Sequence, residues 1–119
     1  MRSLVILMME EELPEGLSAR KLVVETAKHN VLTAYSASDG LDLLRRFPAI
    51  DAVLIHAGVL DRKPRLIAEV RLLAPSIPII VACPGENALP PQANYVIDSH
   101  KPHALVQLLA NELQASIDN

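Results

Sequence analysis

The segment IDAVLIH, residues 50–56, decides the architecture. Ala52, Val53, Leu54 and Ile55 form an unbroken β-favouring apolar run, the pattern of a parallel strand buried on both faces. The run ends on His56. In open parallel sheets the chemistry lies just past the carboxyl ends of the strands. The identity of this one side chain therefore bears most on what reaction the domain could run.

Working outward, four further runs share this character: Leu4–Met8, Val31–Tyr35, Ile79–Ala82 and Tyr95–Ile97. Helix-like segments separate them, and such alternation argues for βαβ units and a parallel sheet. A first helix is predicted after Pro14, with Ala19, Leu22, Val23 and Ala27 on one face. A second starts from Ser38 as N-cap, runs through Leu41 and Leu44 to Arg46, and is stopped by Pro48. The third spans roughly Lys63 to Leu73, with Pro64 in its first turn and Leu66, Val70 and Leu73 on one stripe. The last begins near Pro102 and carries Leu105, Leu109 and Leu113 on one side. One connection breaks the pattern. Residues 83–94, CPGENALPPQAN, hold Pro84, Gly85, Pro90 and Pro91. Proline inside a helix costs about 3 kcal/mol, so at most one turn is expected, around Glu86–Leu89.

The chain of 119 residues is read as one domain, 1–119, with no output domain. Half of it is apolar, yet only Tyr35, Phe47 and Tyr95 are aromatic, so the core is aliphatic. A net charge of −3 leaves no electrostatic footprint for nucleic acid. The single cysteine excludes an intramolecular disulfide and suits a reducing compartment. Leu4 to Met9 is too short for a signal-peptide core or a membrane span, and the expected location is cytoplasmic with no membrane partner.

The order of parts resembles the receiver domain of bacterial two-component response regulators. The likeness covers essentially the whole chain. VLTAYSASDGLDLLRR (31–46) resembles the second strand and helix of that family, and IDAVLIH its third strand. RLLAPSIPIIVAC (71–83) and NYVID (94–98) resemble the approaches to its fourth and fifth strands. The resemblance implies a flavodoxin-like (βα)5 doubly wound α/β fold with sheet order 2-1-3-4-5. Here the fourth helix is shortened or replaced by the proline-rich loop.

Receivers phosphorylate themselves on an aspartate at the end of the third strand. Acidic residues after the first strand hold Mg²⁺, and a Thr or Ser and a Lys contact the phosphoryl oxygens. Mg²⁺ takes oxygen ligands in octahedral geometry, and the transferring group needs positive charge around it. Carried over position by position, the phosphoacceptor is His56, the hydroxyl position Cys83 and the lysine position Asp98. Only the acidic cluster survives in kind, as Glu10, Glu11 and Glu12, in a register open by one or two residues. Aspartyl phosphorylation is thereby excluded, and no cofactor is expected beyond weak Mg²⁺ binding.

Each residue also has a plain reading. His56 is a phosphohistidine acceptor, a metal ligand, a pH-sensitive switch or a half-buried histidine capping a strand end. Glu10 to Glu12 are a weak cation site or a solvated acidic loop facing the first helix N-terminus. Cys83 is a redox thiol or a small hydrophobe. Arg62 and Lys63 form an anion-attracting rim, or lie in a solvated first turn with Asp61 as N-cap. His100, Lys101 and His103 lack zinc spacing.

The leading functional expectation is a phosphorylation-independent pseudo-receiver, not an enzyme, acting by protein–protein interaction. Its expected partner is a histidine kinase, a phosphotransferase or another receiver. The alternative is an atypical receiver sensing pH or a small anion through His56 and the 83–94 loop. A small α/β enzyme is the remote third reading, since no nucleophile–base pair or Gly-rich phosphate loop is present.

Overall fold

In a computed structural model describing residues 3–11, 19–85 and 88–114, all five apolar runs become strands. They are β1 (Val5–Met9), β2 (Asn30–Ala34), β3 (Ala52–His56), β4 (Ile79–Cys83) and β5 (Tyr95–Asp98). They pair in parallel in the order β2-β1-β3-β4-β5. The central strands are buried on both sides, so alternate residues feed two cores. Leu7, Met9, Val53, Ile55, Ile79 and Val81 fill one core, and Ile6, Met8, Ala52, Leu54, Ile80 and Ala82 fill the other.

The helices are α1 (Ala19–Thr26), α2 (Ala37–Arg46), α3 (Ala57–Arg62), α4 (Leu66–Leu73) and α5 (Pro102–Leu108). Helices α2, α3 and α4 cover the first core, while α1 and α5 cover the second. Pro102 opens α5, and the helix continues as a π turn over Leu109–Gln114. Leu105, Leu109 and Leu113 are all buried, as their spacing predicts. At the outer edge, the Leu4 amide donates to Nδ1 of His29 at 3.0 Å, joining β1 to the turn before β2.

Five local expectations are corrected. The N-cap of α2 is Ser36, not Ser38: Ser36 has extended backbone and its hydroxyl accepts from the Asp39 amide at 3.1 Å. The helix expected over 63–73 is two helices. The Pro64 ring disfavours helical backbone at the preceding residue, and Lys63 is accordingly extended (φ −142°, ψ 81°). Asp61 is therefore no N-cap but lies inside α3. Leu73 falls in the last turn of α4 and is exposed, so Ile67 joins Leu66 and Val70 in the core. On α1 the buried apolar residue is Val24, whereas Leu22 is 57% exposed. Adjacent valines at 23 and 24 let the stripe be drawn one residue early. The helix start after Pro14 lies outside the described residues.

One glycine is set by packing. A Cβ on Gly40 of α2 would collide with the Met9 side chain, so glycine lets this helix settle directly on β1. The expected gap after β4 is present: no helix occurs among the described residues between β4 and β5. The single turn expected at Glu86–Leu89 lies partly outside them. No described helix is long and apolar enough to cross a membrane.

Candidate functional site at the carboxyl end of the sheet

Strand register gathers the predicted residues at one end of the sheet. Met9 pairs with Ile55, so Glu10 follows β1 beside His56, and His56 pairs with Ala82. One step further, Cys83 pairs with Asp98. Glu12 lies outside the described residues.

His56 ends β3 and is at the same time the N-cap of α3, so strand and helix abut with no loop between them. Its Nδ1 accepts the Gly58 amide at 3.0 Å. The first turn of any helix leaves amides without intrahelical acceptors, and here the imidazole supplies one. This nitrogen therefore carries no proton and is already engaged.

Glu10 and Glu11 are not part of a solvated loop with free carboxylates. Glu10 is buried, and the cause is Arg20 in the first turn of α1. Arg20 donates through Nε at 3.0 Å and through one terminal nitrogen to the two carboxylate oxygens of Glu10. Its other terminal nitrogen donates to the Ser99 carbonyl at 2.8 Å. A two-pronged guanidinium–carboxylate contact is the strongest ion-pair geometry available to side chains. Arg20 is nearly buried too, with 12% of its side chain exposed. Glu11 takes a second arginine, Arg62 of α3, at 2.9 Å. The Glu11 carboxylate sits against Gly58, where a Cβ would overlap it.

These pairs also answer for the anion rim. Arg62 is spent on Glu11, and Lys63 pairs with Glu69 at 3.3 Å. Cys83 is buried, and that burial pushes its thiol pKa up, with the Asp61 carboxylate adding to the effect. It is a protonated, weakly nucleophilic thiol. Asp98 accepts the His100 amide at 2.9 Å and the Gly85 amide at 3.3 Å. The His100 bond chiefly holds its carboxyl below the usual range, with Gly85 and nearby positive charge helping against partial desolvation. At the position that the receiver resemblance assigns to a lysine, the fold thus presents a carboxylate held by backbone amides.

Mg²⁺, which the receiver resemblance implies, does not fit this corner. The cation requires oxygen ligands free to converge on it, and both described carboxylates are committed to guanidinium groups. Among the described residues no cluster of three His, Cys, Asp or Glu side chains is arranged to hold a metal ion. A cavity of about 410 Å³ opens between α3, α4 and the β4–β5 loop, lined by Leu60, Asp61, Pro64, Ile67, Pro90 and Pro91. Among the described residues of that lining Asp61 is the one ionisable group, and they bring together no nucleophile and base.

Arg20 escapes the sequence reading; the plain reading of His56 has it capping the strand end, and what it lacks is the bond to Gly58 at the start of α3. Arg20 stands four residues before Val24, hence on the same helical face. Once Val24 is recognised as the inward residue, a buried arginine is placed over the end of β1.

No protein-family model matches the sequence, and no curated protein matches it by sequence. Solved structures do. A response regulator receiver domain protein from Clostridium thermocellum superposes with a TM-score of 0.79 at 19% identity, over 95% of this chain and 96% of that one. A CheY-like receiver domain protein from Methanospirillum hungatei JF-1 also gives 0.79, at 18% identity, over 98% of both chains. A response regulator protein from Burkholderia multivorans gives 0.61 at 25% identity, over 92% and 94%. The chain has the CheY-like receiver fold, with the sheet order that the resemblance implies.

Proposed function

We propose that this chain is a phosphorylation-independent pseudo-receiver that works in two-component signalling by binding another protein. The observation that carries the reading is His56: the position at the end of β3 holds an imidazole consumed as a helix cap, not a free carboxylate. The paired Glu10 and Glu11, the buried Cys83 and the bonded Asp98 support it, because each removes one further element of phosphoryl transfer. No reaction is assigned to the domain, and its setting is the cytoplasm.

The surface best suited to a partner is that of α1 and α5, which pack together over one core. Receivers are read by kinases and phosphotransferases on this side. Leu22, more than half exposed in the middle of α1, offers an apolar contact there. A histidine kinase, a phosphotransferase or a second receiver is the partner, and the chain competes with phosphate-accepting receivers for it.

Incubation with acetyl phosphate and Mg²⁺, followed by intact mass measurement, tests the chemical half. The expected spectrum shows no phosphoryl adduct, and an adduct on His56 or any carboxylate overturns the reading. Titration against histidine kinases and phosphotransferases tests the other half: binding to at least one, weakened by Leu22→Glu, is expected. Binding to none sinks it.

A second reading has one observation in its favour. Protonating Nδ1 of His56 would remove the acceptor for the Gly58 amide and loosen the start of α3. An amide-shift titration between about pH 5 and 8 would then move Gly58 together with the 88–94 loop. Movement of Gly58 alone leaves His56 as a cap without a signalling role.

A further inference from the structure

The poor fit of this corner to a divalent cation has a specific cause in two arginines. We infer that Arg20 and Arg62 are built-in replacements for the metal, holding the carboxyl end of the sheet in one permanent arrangement. The inference rests on the pseudo-receiver reading for its biological use, but not for its chemistry.

A divalent cation at such a site neutralises carboxylates after β1 and ties neighbouring loops together. Arg20 does both. Its fork neutralises buried Glu10, and its remaining terminal nitrogen reaches the Ser99 carbonyl in the turn between β5 and α5. Arg62 does the same for Glu11 and ties α3 to the segment after β1. The Ser99 turn is held from other sides as well. The Ser99 amide donates to the Cys83 carbonyl at 2.8 Å, and the Asp98 carboxylate binds the His100 and Gly85 amides. The end of β1, the start of α1, the end of β4 and the entry to α5 thus form one bonded unit. The α1–α5 surface is set by covalently resident cations, so its shape does not depend on metal supply.

The test is a metal titration of the whole chain, read by amide NMR with Mn²⁺ and by thermal unfolding with Mg²⁺. In the natural sequence, Mn²⁺ at millimolar concentration is expected to leave the Glu10, Glu11 and Gly58 amides unbroadened, and Mg²⁺ to leave Tm unchanged. Arg20→Met uncovers Glu10, and its Tm should fall by on the order of 10 °C, the scale for breaking a buried pair from one side. Mg²⁺ should then recover part of that fall, and Mn²⁺ should broaden Glu10 and Glu11. A merely structural arginine would give the fall without the metal response.

Arg20→Lys keeps the charge without the fork. Arg62→Ala removes an arginine whose side chain is 64% exposed. Either variant serves if Arg20→Met does not fold, and Arg62→Ala is expected to acquire weaker Mn²⁺ broadening centred on Glu11 and Gly58. Equal Mn²⁺ broadening in the natural chain and the variants overturns the inference. So does the absence of any metal response in all variants. A phosphoryl adduct with no metal response in the natural chain would fail the functional reading alone, so the two fail separately.

Discussion

Two crossovers of this sheet solve the same problem by different physics. The connection from β3 to β4 carries α3 and α4, which bury Val59, Leu66, Ile67 and Val70 against the first core. The connection from β4 to β5 has no described helix and buries little of its own. Its exit is held by Arg71 of α4, whose guanidinium donates to the Gln92 carbonyl at 3.0 Å and the Pro75 carbonyl at 3.3 Å. The same group reaches the Ile77 carbonyl and Oδ1 of Asn94. Asn94 in turn accepts the Ile79 amide at 2.8 Å. A helix closes its crossover with non-directional apolar burial; a loop of prolines must be bonded in place, group by group. Directional bonding fixes a backbone but leaves apolar surface open, and the cavity beside Pro90 and Pro91 is the result.

The difference should appear in how each crossover fails. Leu66→Ala, which empties a fully buried site in the first crossover, is expected to lower stability by about 3 kcal/mol. Chemical denaturation should show that loss as a shift in midpoint, and hydrogen exchange should quicken across the whole sheet. Arg71→Ala is expected to lower stability less, by about 2 kcal/mol, given charged hydrogen bonds that water partly replaces. Its exchange signature should be local, confined to Ile79, Ala93 and Asn94. If both substitutions accelerate exchange equally everywhere, the two crossovers are one cooperative unit and the contrast fails.

Acid should divide the molecule by region as well. His29 has its pKa lowered by burial, so the folded state favours the neutral ring. Its contribution is complete above the ordinary histidine range and is lost as pH falls through that range toward the folded value. Asp98 is held below the ordinary carboxylate range chiefly by the His100 amide. Its contribution is complete above that range and is lost only as pH falls through its lower folded value. Acid unfolding followed by residue-resolved NMR should therefore loosen the Leu4–His29 edge before the Gly85–Asp98 anchor. Asp98→Asn, expected to have the smallest effect of these changes, should remove the second step and leave the first.

The sheet was legible because continuous runs such as IIVAC and AVLIH have one reading in an alternating chain, a strand buried on both sides. The α5 stripe was legible from its spacing, since Leu105, Leu109 and Leu113 recur every fourth residue. Face assignment failed on α1, where Leu22, Val23 and Val24 are all apolar and only tertiary packing selects Val24. That one error also hid Arg20. The split at Lys63 was available in principle, because the residue before Pro64 resists helical backbone, but an apolar stripe bridges the break. At the site, residue types told how each position departs from the receiver resemblance. They did not tell which contacts those residues make, because ion pairs such as Arg20 with Glu10 link α1 to the end of β1 and leave no mark in local spacing.

The capping bond of His56 bears on how such a domain could change over evolutionary time. Aspartate is among the best N-cap residues, so His56→Asp would keep α3 seated on the Gly58 amide and leave the fold untroubled. That change alone would not supply the surroundings that phosphoryl transfer needs. The new carboxylate would stand next to Glu10 and Glu11 with their arginines in place, a buried Cys83 where a hydroxyl is wanted, and Asp98 where a cation is wanted. Each of those positions now supports something else: Arg20 holds the Ser99 turn, and Asp98 holds the Gly85 loop. No single substitution of this kind is rewarded, because any gain in chemistry arrives only after several changes whose intermediate steps loosen the corner. On the pseudo-receiver reading, phosphoryl transfer is barred less by the absence of an aspartate at position 56 than by the structural duties of the residues around it.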